Sequence, residues 1–317
     1  RSKSETFMKH GRSIRELDAA RVNVHLGREP EQFVSLSESR FQLQINDLAD
    51  RILSEKTPVR VVLISGPSAT GKTTAAEKLR AELGVCGKEA AIVSVDDFFL
   101  GAGSLPRNPD GTYDMDTIGV VDTELARRSI GDLLARGEAD FPVFDFSSQR
   151  RSGEVRHLSA SGGLVVIEGT HALNPLLTEG LPRRGVFRVF TGTNARFCVD
   201  GRTLLTPEEL RLARRMVRDE QFRGWPAERT LAQWPNILRS SDIYIEPYAG
   251  TAEFFLDSAL DYEPAVYGGR LFPMLERIAA DSPYAPGAEE LRRKLSYFSE
   301  LSEKLVPKDS LLREFIG

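Results

Sequence analysis

Cysteine is scarce in this sequence, which has two cysteines, Cys86 and Cys198, among 317 residues. They lie far apart, and neither belongs to a C-x-x-C pair, so the sequence argues against a disulfide framework or a zinc site. A chain of this kind suits a reducing compartment, and we expect a cytoplasmic protein. Long apolar runs are missing too, because the most apolar stretch, residues 59–64, has the length of a strand and not of a membrane span.

An excess of charge of either sign is also lacking. The formal net charge is -4, with 28% charged and 41% hydrophobic residues. A chain so near neutrality has no overall basic field, and we therefore expect neither nucleic acid nor a membrane surface as its partner. The hydrophobic fraction suffices for the sizeable core of a globular protein. The composition leaves open whether the chain forms a homo-oligomer.

Apolar segments of strand length alternate with helical patterns in the middle of the chain. The predicted strands are residues 59–65, 90–95, 163–167, 186–190 and 242–245, and the predicted helices are residues 72–83 and 122–135. Such alternation is typical of an α/β fold with a mainly parallel sheet covered by helices on both faces. In sheets of this kind, ligands bind at the carboxyl ends of the strands.

The chain divides into three predicted parts. Residues 1–57 would form an N-terminal appendage, and residues 58–255 would form the α/β core. Residues 256–317 carry helical patterns, including residues 288–305, and would form a helical C-terminal cap.

Within the appendage we predict short strands at residues 23–26 and 33–36, followed by a helix at residues 39–53. Two long connections in the core, residues 98–121 and 141–163, contain no clear element. Loops of that length inside a domain are usually functional or disordered.

The strongest local signal follows the first strand of the core, where residues 66–73, Gly-Pro-Ser-Ala-Thr-Gly-Lys-Thr, match the P-loop pattern G-x-x-x-x-G-K-[ST]. In this pattern backbone N–H groups converge on phosphate oxygens, while Lys72 would contact the β- and γ-phosphates and Thr73 would bind Mg²⁺. The structural alternative is a glycine- and serine-rich turn with a chance lysine. Since a strand precedes the motif and a helix follows it, we predict an ATP site. Its residues would be Gly66, Ser68, Ala69, Thr70, Gly71, Lys72, Thr73 and Thr74.

Carboxylates end two of the other predicted strands. Asp96 and Asp97 follow the strand at 90–95, and one of them could accept the proton of an attacking hydroxyl group. The alternative is a helix cap or turn pair without chemistry. Glu168 ends the strand at 163–167, where an acid beside a P-loop could hold Mg²⁺. The alternative for Glu168 is a solvated acid at a strand end.

A basic helix is predicted from residue 207 onwards. Thr206 would be its N-cap, with Pro207 at the first helical position and Glu209 completing a capping box. One face of this helix carries four arginines at positions i, i+3, i+4 and i+7: Arg211, Arg214, Arg215 and Arg218. Like charges on one face favour an anionic ligand, and the phosphates of ATP would fit, above all at Arg214 and Arg218. A solvated face paired with carboxylates elsewhere is the alternative.

Five segments in order resemble the phosphoribulokinase/uridine kinase family of P-loop kinases. They are residues 65–74, 93–99, 141–146, 166–174 and 214–224. The resemblance runs from about residue 59 to the end of the chain. It is strongest to bacterial uridine-kinase-related proteins, in which residues 107–114, Ser282-Pro283 and the terminal residues 310–317 also have counterparts.

The resemblance implies a P-loop three-layer sandwich with an arginine-bearing lid at about residues 203–240. It also implies transfer of a phosphoryl group from Mg·ATP to a small-molecule hydroxyl group, most simply the 5′-OH of a nucleoside. Asp96 would be the catalytic base, and the lid residues Arg215, Arg218 and Arg223 would contact the phosphates.

The resemblance also implies an acceptor site. Its residues would be Asp97, Phe99, Tyr113, Asp114, Asp116, Phe144, Phe146, Gln149, Arg151, His171, Arg223 and Gln233. Either Asp114 or Asp116 would bind the sugar hydroxyl groups.

Three departures from the family pattern concern the base of the acceptor. Phe144 stands where pyrimidine kinases have a tyrosine, Gln149 stands near a histidine position, and Trp225 replaces the second arginine of an Arg-Gly-Arg sequence. Loss of base-reading groups weakens the expectation of pyrimidine specificity. A kinase of another small alcohol, such as a sugar phosphate or a pantothenate-like acid, therefore stays open. So does a nucleotide-dependent, RNA-associated regulator, although Asp96 would have no acceptor proton to take in such a switch.

Overall fold

The structure is a computed structural model that describes residues 8–9, 12–101 and 116–317, with side chains from residue 14 onwards. Its strands are β1 Met8–Lys9, β2 Arg12–Ser13, β3 Arg15–Asp18, β4 Val61–Ser65, β5 Ala90–Ser94, β6 Glu138–Asp145, β7 Arg150–Ser159, β8 Leu164–Glu168, β9 Val186–Gly192, β10 Ala195–Val199, β11 Arg202–Leu205 and β12 Phe254–Asp257. Its helices are α1 Ala19–Arg28, α2 Pro30–Leu53, α3 Lys72–Val85, α4 Thr123–Arg136, α5 Pro175–Thr178, α6 Pro207–Arg223, α7 Ala227–Tyr244, α8 Glu263–Glu276, α9 Ala285–Leu295 and α10 Arg313–Ile316.

A five-stranded parallel sheet in the order β12-β9-β4-β8-β5 forms the centre of the fold and confirms the predicted α/β class. Strands β4 and β8 are buried at every residue, which explains why they are continuous apolar runs in the sequence. Glu168 of β8 lies opposite both Ile64 of β4 and Ser94 of β5. This register brings the carboxyl ends of the three strands to one edge of the sheet.

Helices cover both faces of the sheet. On one face α3 packs with α2, α6 and the C-terminal helices, and on the other face α4 and α5 pack against β4, β8 and β9. Helix α4 lies where a helix was predicted; the Asp122 carboxylate caps it by accepting a hydrogen bond from the Leu125 N–H, and it ends at Gly137. The result is a three-layer sandwich.

The predicted strands at residues 23–26 and 33–36 are wrong, since both segments are helical and lie in α1 and α2. Their branched and aromatic residues favour strands locally, but the longer pattern has helical spacing. The buried residues of α2 are Val34, Ser37, Phe41, Ile45, Leu48, Ala49 and Ile52. The helix predicted at residues 39–53 is therefore confirmed, and it begins earlier, at Pro30.

The N-terminal segment packs tightly against the rest of the chain. Strand β3 pairs in parallel with β10, and the buried face of α2 belongs to the same apolar cluster as α3 and the sheet. Arg15 and Arg40 both form ion pairs with Asp257 at the end of β12 and with Asp261. The apolar core thus continues across the predicted boundary between residues 57 and 58. The three-part division of the chain stays a proposal.

Three further element predictions need correction. Residues 242–245 are not a strand, because residues 242–244 belong to α7 and Ile245 is its C-cap. The strand that pairs with β9 at that edge of the sheet is β12. The connection at residues 141–163 contains most of the β6–β7 hairpin, whose outer strand is largely exposed and so lacks an apolar pattern. The helical pattern at residues 288–305 yields a helix only as far as Leu295.

Within the described ranges, none of the helices has both the length and the apolar character needed to cross a membrane. Cys86 is exposed and Cys198 is buried, and both are free thiols, as their separation in the sequence predicts.

Candidate active site

The P-loop connects the end of β4 to the start of α3, and two of its glycines are required by close contacts. A Cβ atom on Gly66 would lie 2.1 Å from the carbonyl oxygen of Thr191. Gly71 has a φ of 75° and packs so closely on Leu311 that a Cβ atom would lie 2.5 Å from a Leu311 methyl group. Any larger residue at either position would force the loop to move.

The loop is braced from inside by its own polar groups. The Thr70 hydroxyl donates to the Pro67 carbonyl oxygen at 2.8 Å, and the Lys72 ammonium donates to the same oxygen at 3.0 Å. Gly71 caps α3 without a side chain, and Ala75 makes the first intrahelical hydrogen bond to it. The N–H groups at the start of α3 thus form the kind of cradle that binds phosphate.

Three charged side chains converge beside this cradle. Lys72 is only 9% exposed, and burial lowers its pKa, while the neighbouring charge of Glu168 raises it. Burial raises the pKa of Glu168 to about 7 and the pKa of Asp96 to about 6, although the Lys72 charge opposes both shifts. Groups shifted in this way beside a phosphate-binding loop are candidates for binding and catalysis.

The oxygen atoms beside Lys72 fit a hard divalent cation. The Thr73 hydroxyl lies 3.4 Å from a carboxylate oxygen of Glu168, and a cation between them would relieve the burial of that charge. The described part of the chain holds no group of three or more His, Cys, Asp or Glu side chains suited to a metal ion. Mg²⁺ at this place would therefore depend on water and nucleotide oxygens as well as on Thr73 and Glu168.

The two adjacent aspartates differ in their surroundings. They lie in a short 3-10 helix, Val95–Phe98, and not on the extended segment that their position after a strand suggests. One Asp97 oxygen accepts the Phe144 N–H at 3.3 Å, and the other lies 3.5 Å from Arg156. Both oxygens contact the β6–β7 hairpin, and the acceptor contact of Asp97 stays a prediction. Asp96 instead lies within the electrostatic field of Lys72, Arg218 and Arg223.

The prediction that Arg214 contacts phosphate is wrong. Arg214 is completely buried, and its guanidinium group donates to both oxygens of Glu263, to the hydroxyl and carbonyl oxygens of Ser258 and to the Ala69 carbonyl oxygen. These five hydrogen bonds use all five donors of an arginine. Ala69 is the non-glycine residue of the P-loop with a positive φ, 63°, and Arg214 stabilises this conformation by donating to its carbonyl oxygen.

Arg214→Ala should destabilise the fold by roughly 3–5 kcal/mol, because it leaves the buried Glu263 without its partner. The melting temperature of the protein without ligand should then fall by on the order of 10 °C. Arg218→Ala is the matched control, since Arg218 lies on the same face of α6 but is partly exposed and shares Asp219 with two other arginines. Equal melting temperatures for the two variants would contradict this assignment.

For the other arginines of α6, the sequence left two alternatives, contact with an anionic ligand or pairing with carboxylates, and the structure has features of both. Asp219 is fully buried and pairs with Arg215 at 3.3 Å, with Arg218 at 3.2 Å and with Arg223 at 3.1 Å. Thus a carboxylate neutralises part of the basic face. Arg215 nevertheless reaches the P-loop, where it donates to the Ser68 hydroxyl at 2.9 Å. The capping box of Thr206 and Glu209 at the start of α6 is confirmed.

Three phenylalanines meet beside the carboxyl edge of the sheet. Phe99 and Phe144 lie edge to face with ring centroids 5.8 Å apart, and Phe146 lies 5.1 Å from Phe144 and is 61% exposed. His171 is buried nearby against Tyr244, and burial lowers its pKa to about 4, so the imidazole is neutral.

The remaining predicted acceptor residues are dispersed. Asp116 lies 3.6 Å from Arg215, beside the lid arginines. Arg151 forms an ion pair at 2.8 Å with Asp122, the N-cap of α4, and its acceptor role stays a prediction. Gln149 lies at the exposed turn of the β6–β7 hairpin, and Gln233 is half-buried on α7. Tyr113 and Asp114 lie outside the described residues.

Sequence reasoning missed four residues of this site. Asp219, Glu263 and Ser258 hold the arginines, and Glu314 contacts the start of α3. Only Asp219 had a local signal, because it follows Arg218 directly within the basic helix. The other three lie 44 to 240 residues away from their partners, so no sequence spacing could reveal them.

Comparison with known proteins shows which family the chain belongs to. The sequence profile of the "Phosphoribulokinase / Uridine kinase family" matches residues 61–261, well over half of the chain. Uridine kinase of Deinococcus deserti is 26% identical over 207 residues, which are 65% of this chain and 91% of that protein. Uridine kinase of Mycoplasma genitalium is 29% identical over 197 residues, which are 62% of this chain and 84% of that protein. The chain therefore belongs to the phosphoribulokinase/uridine kinase family of P-loop kinases.

Proposed function

We propose that this protein transfers the γ-phosphoryl group of ATP to a hydroxyl group of a nucleoside or a similar ribosyl compound. The observation that carries the proposal is the meeting of Lys72, Asp96 and Glu168 at the carboxyl edge of the sheet, beside the N-terminus of α3. A phosphate cradle, a cation-binding carboxylate and a candidate base are the parts that phosphoryl transfer to an alcohol requires.

In this mechanism Asp96 accepts the proton of the attacking hydroxyl group. Its carboxylate lies within the electrostatic field of Lys72 and of the lid arginines Arg218 and Arg223. An acceptor oxygen beside Asp96 would therefore face phosphates held at the P-loop, and the reaction would depend on positioning and charge stabilisation. The family resemblance and this geometry support Asp96 independently.

Arg215 and Arg218 would neutralise charge on the transferring group. Arg215 donates to Ser68 within the P-loop, and Arg218 is partly exposed on the same side of α6. The buried Asp219 limits their freedom, so the guanidinium groups are oriented before the nucleotide binds. Mg²⁺, held through Thr73 and Glu168, would supply further charge neutralisation at the phosphates.

The aromatic cluster supports an acceptor that carries a planar group. Phe99, Phe144 and Phe146 offer ring edges and faces on which a base could stack, but they offer no hydrogen bond. The relatives described above are named uridine kinases. We extend nucleoside phosphorylation to this chain without their base selectivity, because Phe144 lacks a hydroxyl group.

The preference for uridine and cytidine over adenosine, guanosine and inosine should be about tenfold to a hundredfold weaker than with a tyrosine at position 144, since one missing base contact costs about 1–3 kcal/mol. The measurement is kcat/KM for the five nucleosides with Mg·ATP, read as ADP formed. Phe144→Tyr is the matched variant, and it should raise the preference for pyrimidines if residue 144 lies at the base.

An exclusive preference of the wild-type protein for uridine and cytidine would show that other residues read the pyrimidine. Turnover of a sugar phosphate or another alcohol, with none for any nucleoside, would replace the proposed acceptor class. ADP formation without any acceptor would instead favour a nucleotide-dependent switch.

A further inference from the structure

The C-terminal segment, residues 310–317, packs against the phosphate-binding loop. Leu311 and Phe315 are fully buried. Leu311 lies directly on Gly71, and the Phe315 ring lies 5.2 Å beneath the Arg214 guanidinium group. The backbone of this segment is therefore fixed next to the start of α3 by apolar contacts.

Glu314 extends from this segment to the first turn of α3. One of its carboxylate oxygens accepts the Thr74 N–H at 3.2 Å and the Thr74 hydroxyl at 2.7 Å. Thr74 is the third residue of α3, so its N–H has no carbonyl partner within the helix, and Ala75 makes the first such bond. The N–H groups of this turn are the ones that cradle nucleotide phosphates. A carboxylate thus takes the place of a phosphate oxygen.

The charge of Glu314 also acts on the rest of the site. It is one of the carboxylates that raise the pKa of Glu168, and it opposes the fall in the pKa of Lys72. A second anion, the nucleotide, cannot share the Thr74 donors without strong repulsion at this distance. Because Leu311 and Phe315 fix the backbone, a rotation of the Glu314 side chain alone would clear the donors.

We propose that Glu314 competes with nucleotide phosphate for the donors of Thr74, and so sets the affinity for nucleotide from the C-terminus of the chain. The inference rests on the ATP site of the proposed function, but it concerns nucleotide binding and not the acceptor. A carboxylate that merely capped α3 would leave nucleotide affinity unchanged.

The test is Glu314→Gln, measured by calorimetric titration with Mg·ADP in the absence of any acceptor. Glutamine keeps the size of the side chain and one accepting oxygen but loses the charge. Mg·ADP should bind about tenfold more tightly to the variant, because the neutral glutamine forms a weaker hydrogen bond to Thr74 than the charged carboxylate does, by about this factor in binding strength. Asp309→Asn is the matched control, because it removes the same charge from an exposed residue that pairs with Lys78 of α3. Its affinity should stay within about twofold of the wild type.

Melting temperatures provide a second measurement. Without ligand, Glu314→Gln should melt below the wild type, because a carboxylate stabilises the N-terminus of a helix. On addition of Mg·ADP the melting temperature of the variant should rise by more than that of the wild type. Unchanged or weaker binding of Mg·ADP by Glu314→Gln would overturn the proposal. So would a rise in the melting temperature of Asp309→Asn on addition of Mg·ADP that equals the rise in Glu314→Gln. A failure of every nucleoside as acceptor would refute the proposed acceptor and leave this binding result untouched.

Discussion

Lys72→Ala should abolish phosphoryl transfer in a protein that still folds. The Lys72 ammonium lies inside the P-loop, 3.0 Å from the Pro67 carbonyl oxygen and almost out of contact with solvent. Charge developing on the β- and γ-phosphate oxygens would meet this ammonium in a region of low dielectric. Loss of a comparable preorganised contact lowers kcat by about 10²–10³-fold, and loss of a full charge should exceed that.

The fold should survive Lys72→Ala because the substitution removes a desolvated charge. Burial already raises the pKa of Glu168 to about 7 and that of Asp96 to about 6, so these carboxyl groups can take up protons when the ammonium is gone. Lys78→Ala is the matched control, since Lys78 lies on the same helix and pairs with the exposed Asp309. Turnover is measured as ADP formed with the best acceptor. Near-normal turnover by a folded Lys72→Ala protein would contradict the kinase assignment.

Asp96→Asn should lower kcat by about 10²–10⁴-fold, the range for removal of a positioned general base. Binding of ATP should largely persist, because asparagine has the same shape and the P-loop is unchanged. Burial raises the pKa of Asp96 to about 6, and only the ionised form can accept a proton. The wild-type kcat/KM should therefore fall as the pH is lowered through about 6, and the variant should lose the part of this fall that belongs to Asp96, while any part due to Glu168, whose pKa is about 7, should persist.

Asp97→Asn tests whether Asp96 or its neighbour Asp97 is the catalytic base. Its amide oxygen can still accept the Phe144 N–H, while the ion pair with Arg156 is lost. We expect a modest rise in the acceptor KM with little change in kcat, because the hairpin that carries Phe144 would be held less firmly. An inactive Asp97→Asn protein beside an active Asp96→Asn protein would show that the roles of the two residues are reversed.

The sequence predicted the P-loop and the central strands well because their signals are local. The motif at residues 66–73 requires glycine at fixed positions, and β4 and β8 are buried on both faces, so their apolar runs are unbroken. The helix caps of α4 and α6 were also predictable, since a cap is formed by residues three positions apart. In each case the physical cause lies within one turn or one strand.

Short apolar runs failed as predictors where tertiary packing decided the element. Residues 23–26, 33–36 and 242–245 suit a strand as well as a helix, and the helices that contain them bury a longer periodic face. The β6–β7 hairpin was missed because β7 is largely exposed and its sequence carries no apolar alternation. Pairing with β6 is what makes it a strand.

The sequence by itself determined the P-loop, the α/β class and the acids that follow β5 and end β8. The tertiary structure alone decided what each charged side chain does. Arg214 and Arg218 are alike in the sequence, yet one is buried against Glu263 and the other is partly exposed beside Asp219. Glu314 meets Thr74 only because the chain end folds back onto α3. A charge acts through its distance to other charges and through its burial, and both depend on residues far away in the sequence.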